Sequence, residues 1–448
     1  MNERAETEIE ADSIAEPEEA VLTGAERARG AALAVPTALP PLVVRVSGRY
    51  ERRAPIPLPS PAAPSAEDGF PIALPIRRET ILLDVDGRYP LRTASGTVHV
   101  GLKERVHWIA RLNRIGAFLW RGRIWYRDGL PAAHPYTAVE IQVIDPLFPA
   151  SRRAAARFTG GGAPDRTVVY EYRSRAFRAV EFEFDCTPDA TPVFSIGTHD
   201  HPIHPGSIPA EALTIQEVFR RAGYVVRTSG DTDQVPLAPL SGTDGKWSDL
   251  EMHDAMETYW SRFADRAQWA MWVFFARLHE QGTSLGGIMF DDIGPNHRQG
   301  TAIFTGSFID EAPSGDPAPD AWRKRMKFWT ACHEMGHAFN LAHSWEKSLG
   351  TGWIPLADDL EARSFMNYPR YVAGGESAFF GTFPFRFSDP ELLFMRHAPE
   401  RFVEMGNADW FDHHGFEQAE VRSGSGLRLE VRINQPRADL EFLEPLVA

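Results

Sequence analysis

The spacing of three histidines in one short segment constrains this chain more than any other feature of its sequence. His333, His337 and His343 lie in the run His-Glu-Met-Gly-His-Ala-Phe-Asn-Leu-Ala-His. On a helix, residues four positions apart share a face, so the imidazoles of His333 and His337 can reach one ion. Imidazole nitrogen is a preferred ligand of Zn²⁺, and a catalytic zinc ion takes three protein ligands and one water. The segment therefore predicts Zn²⁺ as a cofactor.

The third histidine can reach the same ion only if the helix ends. In a continued helix His343 would lie nearly two turns beyond His337 and about 120° away from its face. The chain must therefore turn sharply, and Asn340 is the residue where it can, because asparagine tolerates the left-handed conformation that ends many helices. We expect Asn340 to form the helix-terminating turn.

Glu334 directly follows the first histidine, and a carboxylate at this position indicates that the segment is catalytic. A carboxylate beside the water position of a zinc ion can act as a general base, because zinc lowers the pKa of that water. Two other readings stay open. One is a non-catalytic, zinc-containing binding or structural module, and the other is a thermolysin-like peptidase with a downstream third ligand such as Glu361. The spacing of His343 disfavours the second.

A later segment, Ser-Phe-Met-Asn-Tyr-Pro at 364–369, supports the catalytic reading. Together the two segments resemble the metzincin zinc peptidases, whose motif HExxHxxGxxH is followed by a tight turn that carries a methionine. Asn340 stands where that family usually has glycine. The resemblance implies His333, His337 and His343 as zinc ligands, Glu334 as general base, Met366 as an apolar floor beneath the imidazoles, and Tyr368 as a hydrogen-bond donor to the oxyanion.

The resemblance also implies an activity and a substrate. It implies a zinc metalloendopeptidase that hydrolyses peptide bonds and binds a polypeptide in extended form along a sheet edge. We expect residues 300–305 to supply that edge. Pro369, Arg370 and Tyr371 are expected to line the pocket beside the first primed substrate residue.

Hydrophobic periodicity divides the chain into four parts. Residues 1–75 are rich in Ala, Glu and Pro and read as a mostly disordered tail. In 76–190 apolar and polar residues alternate, which predicts a β-rich accessory domain. Strand and helix signals mix in 191–405, and 406–448 reads as a C-terminal β extension that is too short to stand alone, as in a truncated domain. The predicted fold class is α+β: a metzincin-like catalytic domain, with a twisted mixed sheet, an active-site helix and a Met-turn, preceded by a β-sandwich-like domain.

The composition narrows the partners and the compartment. The formal net charge of −14 argues against nucleic acid as a partner, since phosphate binding needs a surplus of Lys and Arg. The sequence contains no apolar stretch long enough for a membrane span, and its acidic start lacks the features of a signal peptide. We therefore expect a cytoplasmic protein or one exported by a non-classical route. The oligomeric state is not indicated.

The sequence leaves the roles of two further features undecided. His199, His201 and His204 could form a second metal site or a polar loop. Cys186 could block the zinc ion with its thiolate, as a cysteine in the matrixin pro-segment does, or it could be a buried residue at the end of a strand. The two cysteines of the chain exclude a disulfide framework.

Overall fold

Eight antiparallel strands form a closed barrel. The computed structural model describes residues 44–55, 76–100, 103–230, 234–242, 244–290, 298–349 and 356–407. The barrel strands are β1 (Gly48–Pro55), β2 (Ile76–Asp84), β3 (Thr93–Val100), β4 (Lys103–Gly116), β5 (Leu119–Gly129), β6 (Ala138–Ile144), β7 (Arg153–Thr159) and β8 (Arg166–Ser174). Each strand pairs with the next one in the chain, and β1 pairs with β8 to close the barrel.

Alternation of side chains explains why these strands form a barrel with a filled interior. Val139, Ile141 and Val143 of β6 are buried, whereas Gln142 between them is exposed, as expected when interior and exterior positions alternate. Close packing also requires one glycine. A Cβ at Gly96 would lie only 2.5 Å from the Trp108 ring, which covers this position from the neighbouring strand.

The predicted fold class is wrong. The alternating strands close into one barrel instead of stacking as a β-sandwich. The barrel dominates the described residues, of which 34% are strand and 22% helix, and they do not form a metzincin-like twisted sheet with an active-site helix. The physical reason is that a sandwich and a barrel share the same two-residue period, so the period predicts strands but not their closure.

The closing strand β1 explains part of this error. It lies within 1–75, where the proline-rich flanks led us to expect a mostly disordered tail. Tyr50 of β1 is nevertheless fully buried, and its hydroxyl donates a hydrogen bond to the carbonyl of Val46 at 2.5 Å. One short strand between proline-rich segments therefore completes the barrel. The predicted β extension is outside the described residues from position 408 onward.

Seven further strands follow the barrel in the described residues. They are β9 (Arg178–Cys186), β10 (Ser195–Gly197), β11 (Ala212–Thr214), β12 (Tyr224–Thr228), β13 (Ala270–Ala276), β14 (Gly287–Met289) and β15 (Gly300–Phe304). Five of them form a second, mixed sheet in the order β12-β9-β13-β15-β14, whereas β10 and β11 form a separate pair. Strands β9, β12, β13 and β15 run parallel, and β14 is antiparallel to β15.

This strand order corrects two predictions. Residues 300–305 were expected to form the substrate-binding edge, but β15 pairs with β13 on one side and β14 on the other. In the described part of the sheet, β14 is the edge strand. Residues 76–190 were expected to form one accessory domain, but β9 within that range pairs with β12 and β13 in the second sheet.

Six α-helices accompany the barrel and the other sheets in the described residues. They are α1 (Ile215–Ala222), α2 (Asp249–Tyr259), α3 (Pro319–Ala338), α4 (Gly375–Thr382), α5 (Asp389–His397) and α6 (Glu400–Val403). The longest, α3, packs against β14 and β15 and is almost wholly buried beyond its first turn. No helix in this part of the chain is long and apolar enough to cross a membrane.

A buried polar network joins the barrel to helix α5. Arg396 forms an ion pair with Asp84 of β2 at 2.8 Å, and both side chains are buried. The next residue, His397, shares a hydrogen bond with Ser95 at 2.9 Å, and its carbonyl accepts one from Nε2 of His107 at 2.7 Å. Buried charges and polar groups are stable only when paired in this way. The network therefore fixes α5 against the barrel wall.

Candidate metal centre

Helix α3 ends in a turn that brings the chain back toward its own last residues. Ala338 is the last helical residue, and Asn340 has φ of 65°, in the left-handed region. The amide of Asn340 donates to the carbonyl of His337 at 2.7 Å, and that of Leu341 to Gly336 at 3.2 Å. This bonding pattern is the Schellman motif, in which a left-handed residue reverses the chain. Asn340 thus takes the conformation that the sequence predicts for the turn.

The turn brings three histidines together. Ligand atoms of His333, His337 and His343 all lie within 4.8 Å of one another, and all three residues are buried. The Nε2 atoms of His333 and His337 are 3.1 Å apart. Two nitrogens at tetrahedral positions around one zinc ion lie about 3.3 Å apart, given Zn–N distances of roughly 2.0–2.1 Å. The spacing of this pair therefore fits a shared ion.

Each of the three imidazoles has an acceptor at its other nitrogen. An Nδ1–H group that donates to such an acceptor fixes the tautomer and leaves the Nε2 lone pair for a metal. The Nδ1 partners are the carbonyl of Phe365 for His333 at 2.6 Å, the carbonyl of Leu341 for His337 at 2.8 Å, and the Glu346 carboxylate for His343 at 2.8 Å.

With these tautomers, none of the three Nε2 atoms at the centre of the cluster carries a proton. With both Nδ1 atoms donating, the Nε2 atoms of His333 and His337 are both acceptors and cannot form a hydrogen bond with each other. Nε2 of His343 is buried and has no hydrogen-bond partner among the described residues. A buried acceptor without a partner is unfavourable, and a cation at the centre would satisfy all three nitrogens. The residues present therefore fit a zinc ion.

Burial keeps His333 and His337 in the neutral form. Desolvation, together with the neighbouring His343, lowers the pKa of His333 to about 3. The pKa of His337 is held well below its usual value, mainly by burial and then by the other two histidines. Metal binding requires neutral imidazole. At neutral pH these two ligands need not lose a proton.

Glu334 lies on the side of α3 that faces β14. It is 4% exposed. A Cβ at Gly287 of β14 would lie 2.7 Å from Cγ of Glu334 and 2.9 Å from its Oε1, and 2.7 Å from Cγ2 of Thr330. Only glycine permits so close an approach. Gly287 therefore allows the edge strand to pass directly over the predicted general base.

Met366 packs against Gly336, the residue before His337 on α3. Its sulfur occupies the space that a side chain at Gly336 would fill. The amide of Asn367 donates to the carbonyl of Ser364 at 3.3 Å, which closes a tight turn around the methionine. The amide of Ser344, next to the third histidine, donates to the carbonyl of Met366 at 2.8 Å. The turn is thus bonded directly to the loop that carries His343.

Aromatic rings enclose the cluster on its other sides. The buried ring of Tyr368 lies 4.9 Å from that of His343 and 5.5 Å from that of His333. Trp345 stacks on His343 with ring centroids 4.4 Å apart and planes 3° apart, and Trp329 stacks on His333 at 4.8 Å. Such contacts limit how far the imidazole rings can tilt.

The residues predicted to form the pocket wall lie beside these rings. Pro369 is buried, whereas Tyr371 and Arg370 are exposed. The Tyr371 ring contacts that of Trp345 at 4.7 Å, and the guanidinium of Arg370 lies 5.1 Å above the Tyr371 ring. This is the more exposed side of the cluster.

A buried glutamate ties the two metal-site loops together. The Glu391 carboxylate forms an ion pair with Lys347 at 2.8 Å and accepts hydrogen bonds from the hydroxyls of Ser344 and Ser364. It also accepts one from the amide of Ser388 at 2.7 Å. Burial alone would raise the pKa of Glu391, but Lys347 and these hydrogen bonds lower it overall. One carboxylate therefore links the His343 loop, the Met366 turn and the start of α5.

Other sequence candidates lie outside the cluster. Glu361 accepts a hydrogen bond from the amide of Ala373 at 2.9 Å and is exposed. In the parts of the chain that are described, the three histidines are the only group of three or more residues that could hold a metal, so neither Glu361 nor Cys186 joins them. Burial raises the pKa of the Cys186 thiol, which disfavours the thiolate that would block zinc.

The histidine-rich segment near residue 200 is not gathered around one point. His199 and His204 stack with ring centroids 3.8 Å apart. His201 instead pairs with Asp316 at 3.1 Å. The described residues therefore give these side chains no common metal position, and the polar-loop reading fits them better.

Sequence reasoning missed Glu346 and the two tryptophans at the site. Glu346 lies three residues after the last histidine, and this spacing was the one available signal for a carboxylate partner. Trp329 lies four residues before His333 on the same helix face, so its stacking also follows from helical spacing. The position of Trp345 depends on the conformation of the loop after α3, so no sequence spacing predicts its contact with His343.

Comparison with known proteins adds no relative. No protein-family model matches the chain, and no curated protein and no solved structure matches it.

Proposed function

We propose that this protein is a zinc-dependent endopeptidase whose ligand set resembles that of the metzincins. The observation that carries the proposal is the convergence of three buried imidazoles whose Nδ1 atoms are all engaged, with Nε2 of His343 lacking a partner in the described residues. When bound, zinc would lower the pKa of a water and polarise a carbonyl group.

The roles of the chain's own residues follow from their positions. His333, His337 and His343 would hold the ion. Glu334, which follows His333 on α3, would take a proton from the attacking water and pass it to the departing amine. Tyr368, whose ring lies against two of the ligands, would donate a hydrogen bond to the developing oxyanion.

A polypeptide substrate is supported by the strand next to Glu334. β14 is the edge of the described sheet and passes over Glu334 at Gly287. An extended peptide can pair with such an edge through backbone hydrogen bonds. A peptide on this strand would place its own amide groups close to Glu334. Tyr371 and Arg370, on the exposed side of the cluster, would then contact its side chains.

The test is a cleavage profile of the purified full-length protein on a peptide library, with zinc content measured in parallel. We expect one equivalent of zinc, cleavage that stops on chelation and returns with zinc, and no cleavage by Glu334→Ala. Glu257→Ala is a matched control, because Glu257 is an exposed glutamate of α2 that pairs with His253 far from the cluster in sequence.

The outcomes separate the open readings. Cleavage that survives in Glu334→Ala contradicts the assigned general base. Zinc binding without any cleavage by the wild type favours the non-catalytic module. If His343→Ala binds as much zinc as the wild type, His343 is not a zinc ligand, and the resemblance to the metzincins fails.

A further inference from the structure

The three proposed zinc ligands differ in the partner of their second nitrogen. His333 and His337 donate to neutral backbone carbonyls, whereas His343 donates to a carboxylate, that of Glu346. A carboxylate in this position increases the electron density on the imidazole and strengthens its bond to a metal. The distinction concerns charge, because all three Nδ1 atoms have an acceptor at 2.6–2.8 Å.

The local backbone places Glu346 against His343. The amide of Glu346 donates to the carbonyl of His343 at 3.0 Å, so the chain makes one turn between them. The side chain then reaches back, and its Oε2 lies 2.8 Å from Nδ1. Trp345 stacks flat on the same imidazole. The ring of His343 is therefore held at one edge by Glu346 and on one face by Trp345.

Glu346 has no other charge to neutralise it. The described residues give its carboxylate no second hydrogen bond and no ion pair with Lys or Arg. Its side chain is 23% exposed, so it is partly removed from water without a cationic partner. A carboxylate in that setting is costly unless a positive charge lies close by. A metal ion on the far nitrogen of His343 would supply that charge through the imidazole.

The charge of the whole site leads to the same conclusion. A divalent cation held by three neutral imidazoles brings two positive charges into a buried cluster. Glu334 would supply one negative charge next to the ion, and Glu346 a second one across His343. We propose that Glu346 is a positioning residue of the metal centre, and that its charge sets the affinity of the site for zinc. This inference rests on the zinc centre proposed above.

The experiment measures zinc affinity by competition with a chelator, using the full-length protein. Glu346→Gln keeps an acceptor for Nδ1 but removes the charge, and Glu346→Ala removes both. We expect Glu346→Gln to weaken zinc binding about 10–100-fold and Glu346→Ala to weaken it at least as much. The control Glu257→Gln neutralises a glutamate that pairs with His253 on the exposed surface of α2, and it should leave zinc affinity unchanged.

A thermal melt guards against a general loss of fold. Without zinc, Glu346→Gln should melt at the temperature of the wild type, and only the rise in Tm on adding zinc should be smaller. Zinc affinity of Glu346→Gln equal to that of the wild type would overturn the inference. So would a loss of stability in the zinc-free variant that accounts for the weaker binding.

The outcomes also distinguish this inference from the zinc centre on which it rests. If the wild type binds no zinc, or if His343→Ala binds zinc as well as the wild type does, the centre itself is refuted. If His343→Ala loses zinc and Glu346→Gln does not, the centre stands and only the role of Glu346 is refuted.

Discussion

The sulfur of Met366 occupies the space beside Gly336 where any larger residue would place its Cβ. Gly336 lies between Met335 and His337 on α3, so the helix and the methionine turn are in direct contact next to one of the three histidines. We expect Gly336→Ala to force the two apart, because overpacking a full core costs about 1–3 kcal/mol. A chemical denaturation curve and a zinc assay measure the effect. Gly206→Ala is the control, since no atom lies within 4 Å of a Cβ there.

Asn340 gives a prediction about the turn itself. Its φ of 65° is favourable for glycine and costs an alanine roughly 1–2 kcal/mol. We expect Asn340→Gly to be more stable than Asn340→Ala by about that amount. Both variants lose the hydrogen bond from Asn340 Nδ2 to the carbonyl of Phe402 at 2.9 Å, so this loss cancels in the comparison. Equal unfolding free energies for the two variants would contradict a left-handed residue at this position.

Gly287 gives a prediction about catalysis rather than metal binding. The atoms nearest to a Cβ at this position belong to Glu334 and Thr330, so it would displace the Glu334 carboxylate before it met any of the three histidines. We expect Gly287→Ala to lower kcat by about 10–100-fold, a typical cost of misplacing a catalytic group. Zinc affinity should equal that of the wild type. A fall in both kcat and zinc affinity would show that Gly287 supports the fold of the whole site rather than the position of Glu334 alone.

The buried pair of Glu391 and Lys347 gives a stability prediction. Removing one partner leaves a buried charge alone, which costs about 3–5 kcal/mol. We therefore expect Lys347→Met and Glu391→Leu to be strongly destabilised. The double variant should lose less than the sum of the two losses, because no charge is then left unpaired. Additive losses in urea denaturation would argue against a coupled pair.

Two buried histidines of the barrel give a pH dependence. Burial lowers the pKa of His107 and of His134 to about 3. In the unfolded chain a histidine has a pKa of about 6.5. Below that value the unfolded chain binds more protons, so this stability is present above pH 6.5 and is lost as the pH falls toward 3. We expect the unfolding free energy to fall by up to about 1.4 kcal/mol per pH unit for each of the two residues.

His134 allows that pH dependence to be tested. Neither of its ring nitrogens has a hydrogen-bond partner among the described residues, and its ring stacks on Trp108 at 5.6 Å. We expect His134→Phe to be more stable than the wild type at pH 5, with a smaller difference at pH 8. Denaturation curves at the two pH values check this. The same slope between pH 5 and pH 8 in both proteins would refute the assigned pKa.

The clustering of the three histidines was largely predictable because it depends on short-range spacing. Helical periodicity places His333 and His337 together, and the position of His343 requires a turn near Asn340. Glu346 was missed because a carboxylate three residues beyond a ligand has no fixed direction until the loop is known. Trp345 and the ties from Glu391 depend on the same loop. Helix or strand periodicity cannot predict these contacts, because loops bring the residues together.

The barrel was not predictable for a different reason. Two-residue alternation places Val139 and its neighbours in strands but gives no sign of which strands meet at the ends. Closure depends on the pairing of β1 with β8, more than 100 residues apart in the chain. β1 is also flanked by proline-rich sequence, which reads as disorder when judged by composition alone.

The strand order of the two sheets has a consequence for the sequence of folding. Seven of the eight pairings in the barrel join consecutive strands, so most of the barrel can form from local hairpins as the chain emerges. β9 must wait for β13, which begins at Ala270, and the histidines come later still. Because domains generally fold as units while the chain is made, the barrel can close before His333, His337 and His343 are synthesised. The cluster of three histidines therefore assembles next to a barrel whose strands are all already present.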